Sequence, residues 1–110
     1  MTQDKPFERG MVVVAHADDA EYGCSGTVAR WCREGMEVVY VLCTDGSKGS
    51  SEPGMTSRQL VDIRKLEQIE AGKVLGLSEV VFLDYEDAML EPNLALRKDI
   101  TRQIRKFRPD

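Results

Sequence analysis

The stretch Met11-Val12-Val13-Val14-Ala15-His16-Ala17-Asp18-Asp19-Ala20-Glu21 opens as a continuous β-branched run and ends as a cluster of acids around one imidazole. A run that is apolar at every position predicts a strand buried on both faces of a parallel sheet. Beyond it, Gly23 to Gly26 are expected to open a helix that runs to about Glu34 and is closed by Gly35, the residue type suited to a left-handed C′ position. Glu37 to Cys43 reads as a second, nearly all-apolar strand, and Val80 to Leu83 as a short third one. Thr44 to Met55 is a glycine- and serine-rich loop, long enough to line a site. Thr56 and Gln59 make a capping-box pattern. Leu60, Ile63, Leu66, Ile69, Val74 and Leu75 follow at roughly helical spacing up to Gly76, which predicts a long helix with one face in the core. Leu94 to Phe107 reads as another amphipathic helix, with Leu96, Ile100, Ile104 and Phe107 on one side, while residues 1–10 read as a polar arm.

Strands alternating with helices predict an α/β protein, a Rossmann-like parallel sheet with right-handed crossovers and helices on both faces. Ligands of such sheets bind beyond the carboxyl ends of the strands, which places the loops after Ala15, Cys43 and Leu83 on one rim. Repeats, low-complexity tracts and linkers are absent, so residues 1–110 belong to one domain. Arg108-Pro109-Asp110 follows the last helical pattern where a proline ordinarily introduces another element. The expectation is therefore the N-terminal part of a longer domain, with the sheet incomplete.

The composition narrows the function classes. Hydrophobic residues make up 42% and charged residues 31%, as in an ordinary soluble globular protein. A net charge of −4 without long single-sign runs argues against nucleic acid or an anionic membrane as partner. The longest apolar stretches, Met11–Ala15 and Val38–Cys43, are too short to span a bilayer, and no export signal is legible. Cys24, Cys32 and Cys43 form no C-x-x-C pair and are odd in number, which fits a reducing cytoplasm better than a disulfide framework or a thiolate zinc site. Cys24 lies near the acidic loop, but a small buried side chain at a helix start is its plainer reading.

A glycine-containing turn after the first strand first suggests dinucleotide binding. Gly23 and Gly26 do not make G-x-G-x-x-G, however, and Asp18, Asp19 and Glu21 would repel a pyrophosphate. Carboxylates beside an imidazole suit a cation instead. His16 and Asp19 offer donors for zinc or another divalent ion, and Asp18 is a candidate general base for an attacking water. A histidine among acids is ordinarily a solvated loop or helix-cap cluster; the place at a strand's carboxyl end raises the functional reading. His16 is the chain's single histidine. A catalytic zinc takes three protein ligands, so the third is another carboxylate, a cysteine, or a residue beyond Asp110.

At this point the residues resemble a family. Val12 through Glu21 resembles the A-H-P-D-D-x-E signature of the LmbE-like (PIG-L) deacetylases. The likeness runs on through Gly23-Cys24-Ser25-Gly26-Thr27, Thr44-Asp45-Gly46, Arg64-Lys65-Leu66-Glu67, Leu75-Gly76 and, more loosely, Tyr85-Glu86-Asp87. The resemblance implies a zinc-dependent deacetylase in which His16 and Asp19 bind metal, Asp18 is the catalytic base, and Arg64 and Asp87 meet the substrate. It also implies that a third, histidine ligand and an oxyanion donor lie beyond Asp110. Ala17 stands where the family usually has proline, and Ser25 where it commonly has glycine.

The function expected is removal of the N-acetyl group of an amino sugar such as N-acetylglucosamine or its conjugate. Residues 1–110 alone should then be catalytically silent, and an open sheet edge would favour a homo-oligomer. Two rivals remain. One is a receiver-like signalling module with Asp84 or Asp87 as phospho-acceptor, which acetyl phosphate would label stoichiometrically. The other is an inactive sugar-binding fragment, marked by binding without turnover.

Overall fold

In the computed structural model, residues 7–16, 19–46, 54 and 56–110 are described. Ala17, Asp18, most of the loop after the second strand, and residues 1–6 of the expected polar arm lie outside them. The elements run β1 (Arg9–Val14), α1 (Asp19–Gly23), α2 (Ser25–Arg33), β2 (Glu37–Thr44), α3 (Ser57–Leu75), β3 (Glu79–Tyr85) and α4 (Leu94–Phe107). The strands form one parallel sheet in the order β1-β2-β3. Register runs from Arg9↔Glu37 to Val14↔Leu42 on one side of β2, and from Val39↔Glu79 on the other.

The centre of the sheet is where the sequence is most apolar. Val38 through Cys43 are all buried, so both faces of β2 are covered. On one face Val38 and Tyr40 join Val28 of α2 and Ala20 of α1, with Val12, Val14, Trp31, Leu75 and Val80 packed around them. Each such aliphatic side chain contributes roughly 1.5–3 kcal/mol when fully buried.

The helix expected from Gly23 is preceded by a further turn of helix. Cys24, at φ −152°, interrupts the path, and α2 starts at Ser25. Ser25 sits in ordinary helical backbone, so its replacement of a glycine carries no strain. Gly35 takes φ 93° and Gly76 takes φ 90°, the left-handed conformation expected after a helix. The capping box at α3 is present in both directions: Thr56 Oγ1 accepts from Gln59 N–H, and Gln59 Oε1 accepts from Thr56 N–H.

The apolar stripe of α3 is a correction. Leu60 is buried, but Leu66 is 66% and Val74 87% exposed, and Ile63 and Ile69 also face outward. Steps of three residues fall about 60° short of a full turn, so a series spaced by threes walks around the helix. The inward face instead follows Leu60, Arg64, Gln68, Gly72 and Leu75. Gly72 belongs there because a Cβ would stand 3.2 Å from both Leu77 Cδ1 and Val80 Cγ2.

Candidate active site at the carboxyl ends of the strands

Three strand exits are tied to one another by hydrogen bonds. Thr44, ending β2, donates to the Ala15 carbonyl from both its N–H (2.9 Å) and its hydroxyl (2.7 Å). Asp45 N–H donates to Tyr85 O at 2.9 Å, and Asp45 Oδ1 accepts from Asp87 N–H at 3.2 Å. Between Leu42↔Phe82 and Thr44↔Tyr85 the ladder slips by one residue, and Asp84 takes φ 64° within that stretch. Such a bulge re-aims the chain that follows it. Lys65 Nζ holds Asp84 Oδ1 at 2.9 Å and lies over the Phe82 ring.

His16 leaves β1 into a closed turn. Asp19 N–H donates to His16 O at 3.2 Å, while His16 N–H donates to Asp19 Oδ2 at 2.9 Å. The turn brings Asp19 Oδ2 to 3.5 Å from His16 Nδ1. On the other side of the ring, His16 Nε2 lies 2.8 Å from Asp87 Oδ1. The His16 and Asp19 side chains are 47% and 44% exposed, whereas Asp87 is 8% exposed. The hydrogen bond to Asp87 raises the His16 pKa above 6.5, partial burial opposes it, and the charges of Asp87 and Asp19 add to the rise.

Of the residues singled out from sequence, the structure thus brings together His16, Asp19 and Asp87. Arg64 projects from the inward face of α3 and runs past Gly46, where a Cβ would stand 3.8 Å from Arg64 Cγ. Asp18 lies outside the described residues. Cys24, at the start of α2, packs against the core cluster but is half-buried rather than buried. Asp45 and Thr44 were given no task by the sequence, although Asp45-Gly46 directly after a strand is a turn signal that marks a fixed loop.

The donor set suits a divalent ion in part. Two ligands about 2.0–2.1 Å from a tetrahedral ion stand about 3.3–3.4 Å apart, close to the Nδ1–Oδ2 separation. Both are open to solvent. Among the described residues, no set of three His, Cys, Asp or Glu converges as a metal cage. The spacing of His16 Nδ1 and Asp19 Oδ2 is thus compatible with two donors to one ion.

This arrangement defines a class: an α/β protein with an imidazole between two carboxylates at the carboxyl rim of a parallel sheet. Comparison with known proteins gives it a family. Residues 11–110 match PIG-L, the GlcNAc-PI de-N-acetylase family, and the chain belongs to it. It is 32% identical over 109 residues to a diacetylchitobiose deacetylase of Thermococcus kodakarensis, covering 96% of this chain and 41% of that protein. It superposes with TM-score 0.93 and 33% identity on the N,N'-diacetylchitobiose deacetylase of Pyrococcus horikoshii in complex with its inhibitor MPG, covering 96% of this chain and 40% of that one. The chain thus spans about two fifths of the length of these relatives. GalB of Pseudomonas putida, a 4-carboxy-2-hydroxymuconate hydratase, has TM-score 0.84 at 24% identity over 93% of this chain and 44% of that one; it shares the fold alone.

Proposed function

We propose that the protein is a zinc-dependent deacetylase that hydrolyses the N-acetyl group of an amino sugar or its conjugate. The observation that carries this reading is the 3.5 Å approach of His16 Nδ1 and Asp19 Oδ2, both open to solvent, in a chain of the PIG-L family. The names of the relatives, deacetylases of diacetylchitobiose, favour an N-acetyl amino sugar as substrate. Zinc, or another divalent ion, would supply a Lewis acid and a water of lowered pKa.

The chain's own residues divide the remaining tasks. His16 and Asp19 hold the ion. Asp18, next to Asp19 in sequence, accepts the proton of the attacking water and returns it to the departing amine. The amide C–N bond breaks, and acetate and a free amine leave. Arg64, half-buried beside Gly46, is assigned to polar groups of the substrate. Asp87 belongs to the same rim, with Oδ1 engaged by the imidazole. Among the described residues His16 and Asp19 are two of the three protein ligands that a catalytic zinc ordinarily takes, and this reading leaves the third outside them.

A cytoplasmic setting belongs to the proposal and is supported by three free thiols, Cys24, Cys32 and Cys43. No helix among the described residues is long and apolar enough to cross a membrane. The test is acetate release from an N-acetylglucosamine conjugate by the whole protein, before and after removal of metal. Activity lost with the metal and restored by zinc is expected; undiminished turnover by metal-free protein would refute metal dependence.

A further inference from the structure

We infer that Asp87 is the positioning residue of His16: by accepting a hydrogen bond from Nε2–H it leaves Nδ1 as the nitrogen that faces Asp19 and a bound metal ion. The inference rests on the metal-site reading above and adds to it an orientation for the ligand. A neutral imidazole carries one N–H and one lone pair, and an ionised carboxylate can only accept. The 2.8 Å contact with Asp87 Oδ1 therefore selects the tautomer with its proton on Nε2. The lone pair then sits on Nδ1, beside Asp19 Oδ2. Exposure sorts the groups in the same way. His16 and Asp19 open to solvent, where an ion arrives, and Asp87 stands behind the ring at 8% exposed.

Asp87 is itself held. Its N–H donates to Asp45 Oδ1, and Asp45 N–H is fixed to Tyr85 O. The left-handed residues Asp84 and Ala88 flank the segment and set its course. A carboxylate placed by its own backbone makes a firm reference for a ring that is half open to water. Carboxylates in that position fix the tautomer of a metal-ligating histidine, and their loss typically costs about 10–100-fold in metal affinity.

The test follows the imidazole nitrogen signals of His16, assigned as those that His16→Ala removes. In protein labelled with 15N-histidine and saturated with zinc, Nδ1 is expected to show the metal-bound shift while Nε2 keeps its proton. Zinc on Nε2 with the proton on Nδ1 would overturn the inference. Zinc affinity measured against a competing chelator supplies the second arm. Asp87→Ala is expected to lose about 10–100-fold, and Asp87→Asn, whose amide oxygen still accepts the bond, to lose less. His16→Ala run in parallel separates the two ideas. Loss in His16→Ala with wild-type affinity in a folded Asp87→Ala sinks this inference alone; no loss in either sinks the metal site with it.

Discussion

The two ends of the sheet use the same side chain for opposite purposes. At the amino end, Asp110 Oδ2 accepts from Glu8 N–H at 2.6 Å and Arg9 N–H at 2.9 Å, while Asp110 N–H donates to Arg9 O at 2.8 Å. Arg9 Nε also donates to Arg108 O. The carboxylate there is engaged by main chain, and its work is to tie the end of α4 to the start of β1. At the carboxyl end, Asp87 and Asp19 flank an imidazole, and two of the three side chains stand open to solvent. A carboxylate on backbone N–H groups is fastened; a carboxylate beside a titratable ring can tune that ring. Asp19 Oδ2 does both, accepting from His16 N–H at 2.9 Å while standing 3.5 Å from His16 Nδ1.

The largest expected effect belongs to the carboxyl rim. Asp18→Asn keeps the shape but not the proton acceptor, and should lower deacetylation in the whole protein by about a hundredfold or more. Zinc content measured on the same samples should stay at the wild-type level. Turnover equal to wild type would remove Asp18 from the base role.

Leu42→Ala sharpens the comparison from the middle of β2, between the two rims. Leu42 is 1% exposed, and opening a cavity there should cost about 2–5 kcal/mol in denaturant unfolding. Zinc affinity of the folded protein should hardly change. A large loss of affinity at constant fold would mean that the rim depends on core packing more than on its own hydrogen bonds.

Smaller effects distinguish the ends by pH. His16 has a raised pKa, so in metal-free protein its contribution to stability is fully present only below 6.5 and is lost as pH rises through the raised folded value. Asp110 has a pKa lowered by the Glu8 and Arg9 N–H groups, so its contribution is present above 3.8 and is lost as pH falls through the lowered folded value. Solvent screening keeps both contributions small. Difference curves of Tm against pH, for His16→Ala and Asp110→Ala against wild type, should therefore slope in opposite directions. Curves of the same sign would break the contrast between the rims.

Much of the fold was legible in local signals. The two apolar runs became the paired strands β1 and β2, although β1, expected to be buried on both faces, ends the strand order with Val13 40% exposed; Thr56, Gln59 and Gly76 marked the ends of α3 to the residue. The inward face of α3 was misread because spacing by threes imitates a stripe while drifting around the helix. The helical turn before Cys24 was missed because nothing local marks the break between α1 and α2. His16 and Asp19 were legible because they lie three residues apart and share one turn. The bond from His16 to Asp87 spans 71 residues and depends on the register slip near Asp84, which no local pattern encodes. Asp45 was likewise visible as a loop residue, but its hold on Asp87 emerges only once β2 and β3 are side by side.

The central claim is that His16 and Asp19 are ligands of one metal ion, and zinc affinity tests it most directly. Wild type, His16→Ala, Asp19→Ala and Asp110→Ala should be titrated side by side against a competing chelator. Each of the first two substitutions removes a donor and should weaken binding by at least about tenfold, while Asp110→Ala should bind as wild type does. Equal affinity in all four proteins would contradict a metal site at the carboxyl rim.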